Sequence, residues 1–152
     1  MPKVFISHSH KNDAFSKRLM KDLQAAGVEV WIDFEDILHG DFVSRINDAL
    51  RNCEWVVPLF TPESLNSNFV KQEVNVALTL LMSGKILGII PIIAAPCDFQ
   101  NIPPMWNNLQ RYDATRDYDA ALAFLLKPIW NDISSKIFAF SGCSISKSTT
   151  SN

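Results

Sequence analysis

Residues 4–33 read VFISHSHKNDAFSKRLMKDLQAAGVEVWID, and the order of elements inside this stretch decides the fold. Val4-Phe5-Ile6-Ser7 is short, β-branched and aromatic, and it gives way to a polar cluster ending at Asp13, which predicts a strand and then a loop. A helix follows. Asn12 can cap it, Phe15, Leu19 and Leu23 share one stripe, and Gly27 stands just past Ala26, where a helix C-terminus favours glycine. Val28–Asp33 then predicts a second strand, so the stretch is a strand, a helix and a strand in sequence.

The same alternation continues outward. Phe34–Asp41 is an acidic loop, and Phe42–Asn52 predicts a helix with Phe42, Ile46 and Leu50 on one face. Glu54–Phe60 predicts a third strand whose Pro58 implies a bulge or a strand end. Thr61–Ser67 reads as a loop, and Ser67–Met82 as a third helix closed by Gly84. Ile86–Ala94 is apolar almost throughout, as expected of a central parallel strand covered by helices on both faces. Pro96–Asn108 predicts a loop with a helical turn, Gln110–Asp113 a short edge strand, and Asp119–Ile133 a last helix that Pro128 kinks or ends. Residues 134–152 are rich in Ser and Thr and carry too little apolar surface to order themselves, so the expected organisation is one domain over 1–133 and a flexible tail or linker over 134–152. Strands and helices alternating at this spacing demand crossover connections. The expected class is therefore α/β, a doubly wound, flavodoxin-like parallel sheet of about five strands with helices on both faces and its functional loops at the carboxyl ends of the strands.

Composition narrows the function classes. With 152 residues, 47% of them hydrophobic and 20% charged, the chain can bury a core unaided. A formal net charge of -2 argues against nucleic-acid binding through phosphate neutralisation. Cys53, Cys97 and Cys143 are far apart, with no CxxC and no histidine at metal-ligand spacing, which fits free thiols in a cytoplasmic protein. The apolar run Ile86–Ala95 contains Gly88 and Pro91 and is well short of the ~20 residues that span a bilayer, so no membrane association is expected.

One residue breaks the helical pattern. At about 100° per residue, Glu73 is flanked on the wheel by Phe69, Val70, Ala77 and Leu80, while Lys71, Gln72, Asn75 and Thr79 take the opposite side. A buried carboxylate is costly unless it is paired, hydrogen-bonded or facing a cleft. Periodicity alone leaves open a catalytic cleft and a structural ion pair with an Arg or Lys of a neighbouring element.

The stretch 4–33 resembles the opening of TIR (Toll/interleukin-1 receptor) domains, and LFTPESLNSNFVKQE, residues 59–73, resembles that family's third strand, its Ser-rich loop and the aromatic-x-x-x-Glu signature that opens helix three. The likeness covers about Lys3 to Ile133 and is nearer to the bacterial, enzyme-type members than to receptor adaptors. It implies that the chain cleaves NAD at the nicotinamide–ribose bond, with Glu73 as the catalytic residue and NAD as substrate rather than cofactor. The chemistry is coherent. Nicotinamide leaves from a pyridinium that is already positive, the ribose gains oxocarbenium character, and a carboxylate beside it stabilises that cation, as glycosidase carboxylates do.

The resemblance also places Phe5, Ser7, Ser9, Trp31, Asp33 and Phe34 toward the same cleft. Aromatic rings can stack on the bases and hydroxyls can bind ribose or phosphate. For Trp31 core packing is the stronger expectation; for Phe5 the two readings balance. Ser64 and Phe69 complete the substrate-binding set, although a Ser at a helix start is more often a cap, and His8 and His10 read as solvated loop residues rather than catalysts. Phe69 departs from the family's usual Trp, which leaves hydrolysis, cyclisation and base exchange open as outcomes. FEDILHGDF, residues 34–42, departs from the Arg-Pro-Gly loop of adaptors. The resemblance further implies self-association with other TIR domains. The alternatives are a non-catalytic TIR scaffold working by homotypic assembly and, more remotely, a nucleotide-binding doubly wound domain. The latter is disfavoured because neither GxGxxG nor GxxxxGK[ST] occurs.

Overall fold

The computed structural model describes residues 1–9, 13–32, 48–100 and 102–140, without the side chains of Asp13, Phe69 and residues 132–140. Strand β1 (Lys3–Ser7) lies between β2 (Glu29–Ile32) and β3 (Trp55–Phe60). Phe5 stands opposite both Trp31 and Val56, and Ser7 opposite Pro58. Helix α1 (Asp13–Ala25) crosses over between β1 and β2. It ends as its glycine predicts. Gly27 has φ +84°, its N–H donates to the Gln24 carbonyl at 3.0 Å, and the Val28 N–H reaches back to that of Leu23 at 3.0 Å. This left-handed closure suits glycine, which has no Cβ to clash.

Beyond β3 come α2 (Pro62–Asn66) and α3 (Asn68–Met82), and α3 is closed by Gly84 in the same way, with Lys85 N–H donating to the Leu80 carbonyl. The segment expected to be loop thus contains a short helix. Thr61 and Ser64 form a reciprocal capping box with Pro62 in the first turn, a start signal that the sequence carries. Residues 48–51 are helical, within the expected second helix; its residues up to 47 lie outside the described residues.

The expected fourth strand is divided into β4 (Gly88–Ile89) and β5 (Ile92–Ile93), both parallel to β3. The cause lies in the neighbouring strand. Val56 and Phe60 accept bonds from Ile90 and Ala94, so Pro58, two residues from each, faces the same side with no N–H to donate. Pro58 therefore sits inside a continuous, fully buried strand rather than at a bulge or end, and the gap falls at Ile90–Pro91. β6 (Tyr112–Asp113) pairs with β5 at the sheet edge, and the order is β2-β1-β3-β5-β6, parallel throughout.

Two cores flank this sheet. Phe5, Val56, Phe60, Val70, Val74 and Ala77 pack between it and α3. Val4, Ile6, Leu19, Leu23, Val57, Leu59, Leu125 and Ile129 pack on the other face, against α1 and the last helix, α4 (Tyr118–Phe140). Each such buried aliphatic side chain contributes about 1.5–3 kcal/mol. Helix α4 runs past its expected end at Ile133 and through Pro128, so residues 134–140, assigned by sequence to the tail, are helical. The lost hydrogen bond to the Phe124 carbonyl is offset by Leu125 and Ile129 on either side of the proline, both fully buried. Residues 141–152, with Cys143, lie outside the described residues. Among the described residues no helix is long and apolar enough to cross a membrane.

Candidate active site

Side chains alternate along β1. Val4 and Ile6 enter the core under α1 and α4, whereas Phe5 and Ser7 face α3. Ser7 closes the strand, and the α3 residue that meets it is Glu73, about two turns into the helix. The Ser7 hydroxyl donates to Glu73 Oε2. Both side chains are buried, Ser7 at 0% exposure and Glu73 at 1%. The carboxylate that breaks the helical pattern is thus anchored to the carboxyl end of a central strand, where open α/β sheets place their ligands. In this low-dielectric setting its interaction with a nearby positive charge is far stronger than in water.

A second contact fixes α3 on its other flank. Trp106, fully buried in the 3₁₀ helix Pro104–Asn108, donates from Nε1 to Asn75 Oδ1 at 3.4 Å and stacks on Phe60 at 5.6 Å between ring centroids. Phe60 ends β3, so the helix carrying Glu73 is tied to the sheet through both β1 and β3. The sequence offers no cue to this role for Trp106, which lies in a segment read as loop.

The remaining expected site residues separate. Phe5 is 3% exposed and belongs to the core beneath α3 with Val56, Val70 and Val74, so the packing alternative describes it. Ser9 is half-buried just past β1, and His8 beside it is buried rather than solvated as its sequence context suggests, while His10 lies outside the described residues. Ser64 is buried with its hydroxyl engaged in the capping box: it accepts from Thr61 N–H at 2.8 Å and donates to the Thr61 carbonyl at 3.1 Å. Ser67 caps α3, accepting from Val70 N–H at 3.4 Å. Trp31 is not core; it is 39% exposed on edge strand β2, with Nε1 donating to Glu29 Oε1 at 3.1 Å. Phe69 lies in the first turn of α3, and Asp33 and Phe34 fall outside the described residues.

An open cavity of about 310 Å³ lies at the junction of α2 and α3, lined by Pro62, Leu65, Asn66, Lys71, Asp98 and Ile102. Lys71 is on the side of α3 away from Glu73, so this cavity is separate from the carboxylate. Among the described residues no cluster of three His, Cys, Asp or Glu is placed to hold a metal ion.

A doubly wound parallel α/β domain with a sheltered carboxylate at the carboxyl end of its sheet is the class these observations define. The family model for the TIR domain matches residues 4–126, and the chain belongs to that family. Similar solved structures include the TIR domain of the Toll-related receptor TRR-2 from Hydra magnipapillata, 22% identical over 88% of this chain and 96% of that one, with a TM-score of 0.61. The TIR domains of the activated Roq1 resistosome, which recognises the effector XopQ, are 13% identical over 88% and 99% of the two chains, with a TM-score of 0.60. The TIR domain heterodimer of RPS4 and RRS1 is 12% identical over 88% and 96%, with a TM-score of 0.58. At these identities the likeness is one of fold. No curated protein matches the chain.

Proposed function

We propose that this TIR domain is an NAD nucleosidase of bacterial immune or antiphage type, cleaving the nicotinamide–ribose bond with Glu73 as its catalytic residue. The observation that carries the reading is the burial of the Glu73 carboxylate against Ser7 at the end of β1, in the position of the family's aromatic-x-x-x-Glu signature. A fixed negative charge in a dry site stabilises an oxocarbenium ion without reorganising as the reaction proceeds. Nicotinamide, leaving as a neutral base, needs no strong acid, so one carboxylate suffices.

Glu73 is enclosed in this conformation, so the residues around it must rearrange to admit NAD. Such opening fits a domain that works in self-assembled form, and TIR domains occur in assemblies in the Roq1 resistosome and the RPS4–RRS1 heterodimer. Incubating the assembled protein with NAD tests the reading, with nicotinamide release followed by chromatography and the nucleotide product identified by mass spectrometry. The wild type releases nicotinamide and Glu73→Ala does not. Assembly without turnover, or an unchanged rate in the variant, refutes the assignment and leaves a scaffold acting by homotypic assembly.

A further inference from the structure

We infer that Ser7 is the positioning residue of Glu73: it holds the carboxylate in its working orientation and does not itself bind the substrate. The inference rests on the NAD-cleaving reading and deepens it. A serine hydroxyl has a single proton to donate, and that proton is directed at Glu73 Oε2. That donor is committed to the carboxylate before any ribose or phosphate arrives. What it can do is fix its partner.

The two residues differ in how rigidly they are held. Ser7 lies on β1, the strand flanked on both sides by parallel neighbours, with Ile6 in register with Ile32 on β2 and with Val57 on β3. Glu73 reaches the site through a long side chain with several rotatable bonds. The hydrogen bond transfers the precision of the sheet to the end of that side chain, as a supporting residue must if a reacting group is to be preorganised. A carboxylate offers about four acceptor positions, so occupation of one by Ser7 sets the direction in which the others point. The serine is therefore required for the orientation of charge in the transition state and contributes little to ground-state affinity.

The split between kcat and KM tests this. Ser7→Ala is expected to lower kcat about 10- to 100-fold, in line with the cost of a misplaced catalytic group, while KM stays within about twofold; Ser7→Thr, which restores a hydroxyl, recovers much of the loss. A rise in KM at unchanged kcat overturns the inference, because it is the mark of a lost substrate contact. A thermal double-mutant cycle with Ser7→Ala, Glu73→Met and the double variant needs no NAD. The shifts in melting temperature are expected to be non-additive, as for residues in direct contact, and additive shifts overturn the inference whether or not the protein is active. If the assembled wild type releases no nicotinamide but the cycle is non-additive, the NAD reading fails and Ser7 keeps its role as the holder of the Glu73 carboxylate.

Discussion

Replacing Glu73 with glutamine is expected to make the domain more stable and less active. The carboxylate is 1% exposed and accepts a hydrogen bond from Ser7. Burying an ionised carboxylate costs several kcal/mol, and a hydrogen bond to a charged group returns about 1.5–3 kcal/mol. Glutamine keeps the shape, and its carbonyl oxygen can still accept from Ser7. Its neutral amide costs about 1–3 kcal/mol to bury, with about 1 kcal/mol returned by the hydrogen bond. Counted on burial and the Ser7 hydrogen bond alone, the difference favours glutamine by about 1–2 kcal/mol. For a domain of this size each kcal/mol moves the melting temperature by about 2–4 °C, so Glu73→Gln is expected to melt about 2–8 °C higher. Loss of the charge that meets the oxocarbenium ion lowers kcat about 100- to 1000-fold, the range seen when one preorganised electrostatic contact is removed. Differential scanning calorimetry and a nicotinamide-release assay on the same preparation read both quantities. A melting temperature that falls by several degrees while activity persists refutes the reasoning, because it marks Glu73 as one half of a stabilising buried ion pair.

Gly88→Ala is expected to destabilise the fold, since a Cβ there falls 2.5 Å from Cζ3 and 3.0 Å from Cε3 of Trp55, a largely buried ring in the core under α1 and α4. Overpacking of this kind costs about 1–3 kcal/mol, read as a drop in melting temperature of about 2–12 °C; an unchanged value means that β4 and the ring separate freely. The Cys53 thiol is pushed up to about 12 by burial first and by the Glu29 carboxylate second. With the pKa raised, the thiol stays protonated until the pH nears that value, and at pH 8 only about one molecule in ten thousand carries the reactive thiolate. Peptide mass spectrometry after iodoacetamide treatment at pH 8 is expected to show Cys53 unlabelled in the folded protein and fully labelled in denaturant, and rapid labelling of the folded chain contradicts its placement.

What the sequence reveals of this fold is what is encoded locally. The helical stripes of α1 and α3, the glycines that close them and the apolar fourth strand are short-range signals, and the elements they predict are present, the strand in two short pieces. Features that depend on a neighbouring element were less legible. Pro58 leaves β3 intact and interrupts the next strand instead, because the missing N–H is a vacancy on the partner's side of the ladder. Trp31 is exposed because β2 lies at the edge, and strand order is not written in the run Val28–Asp33. The site divides in the same way. A wheel is enough to single out Glu73, but Ser7 lies 66 residues away, and only the parallel register of β1 with β3 and the crossover into α3 bring the two side chains together. Strand parity also explains why Phe5 and Ser7, on one face, have different fates: Phe5, two residues back along β1, is packed beneath α3, while Ser7, the last residue of the strand, is the one whose hydroxyl meets Glu73. The distinction between a core residue and a site residue here is a matter of about 7 Å along one strand, the advance of two residues.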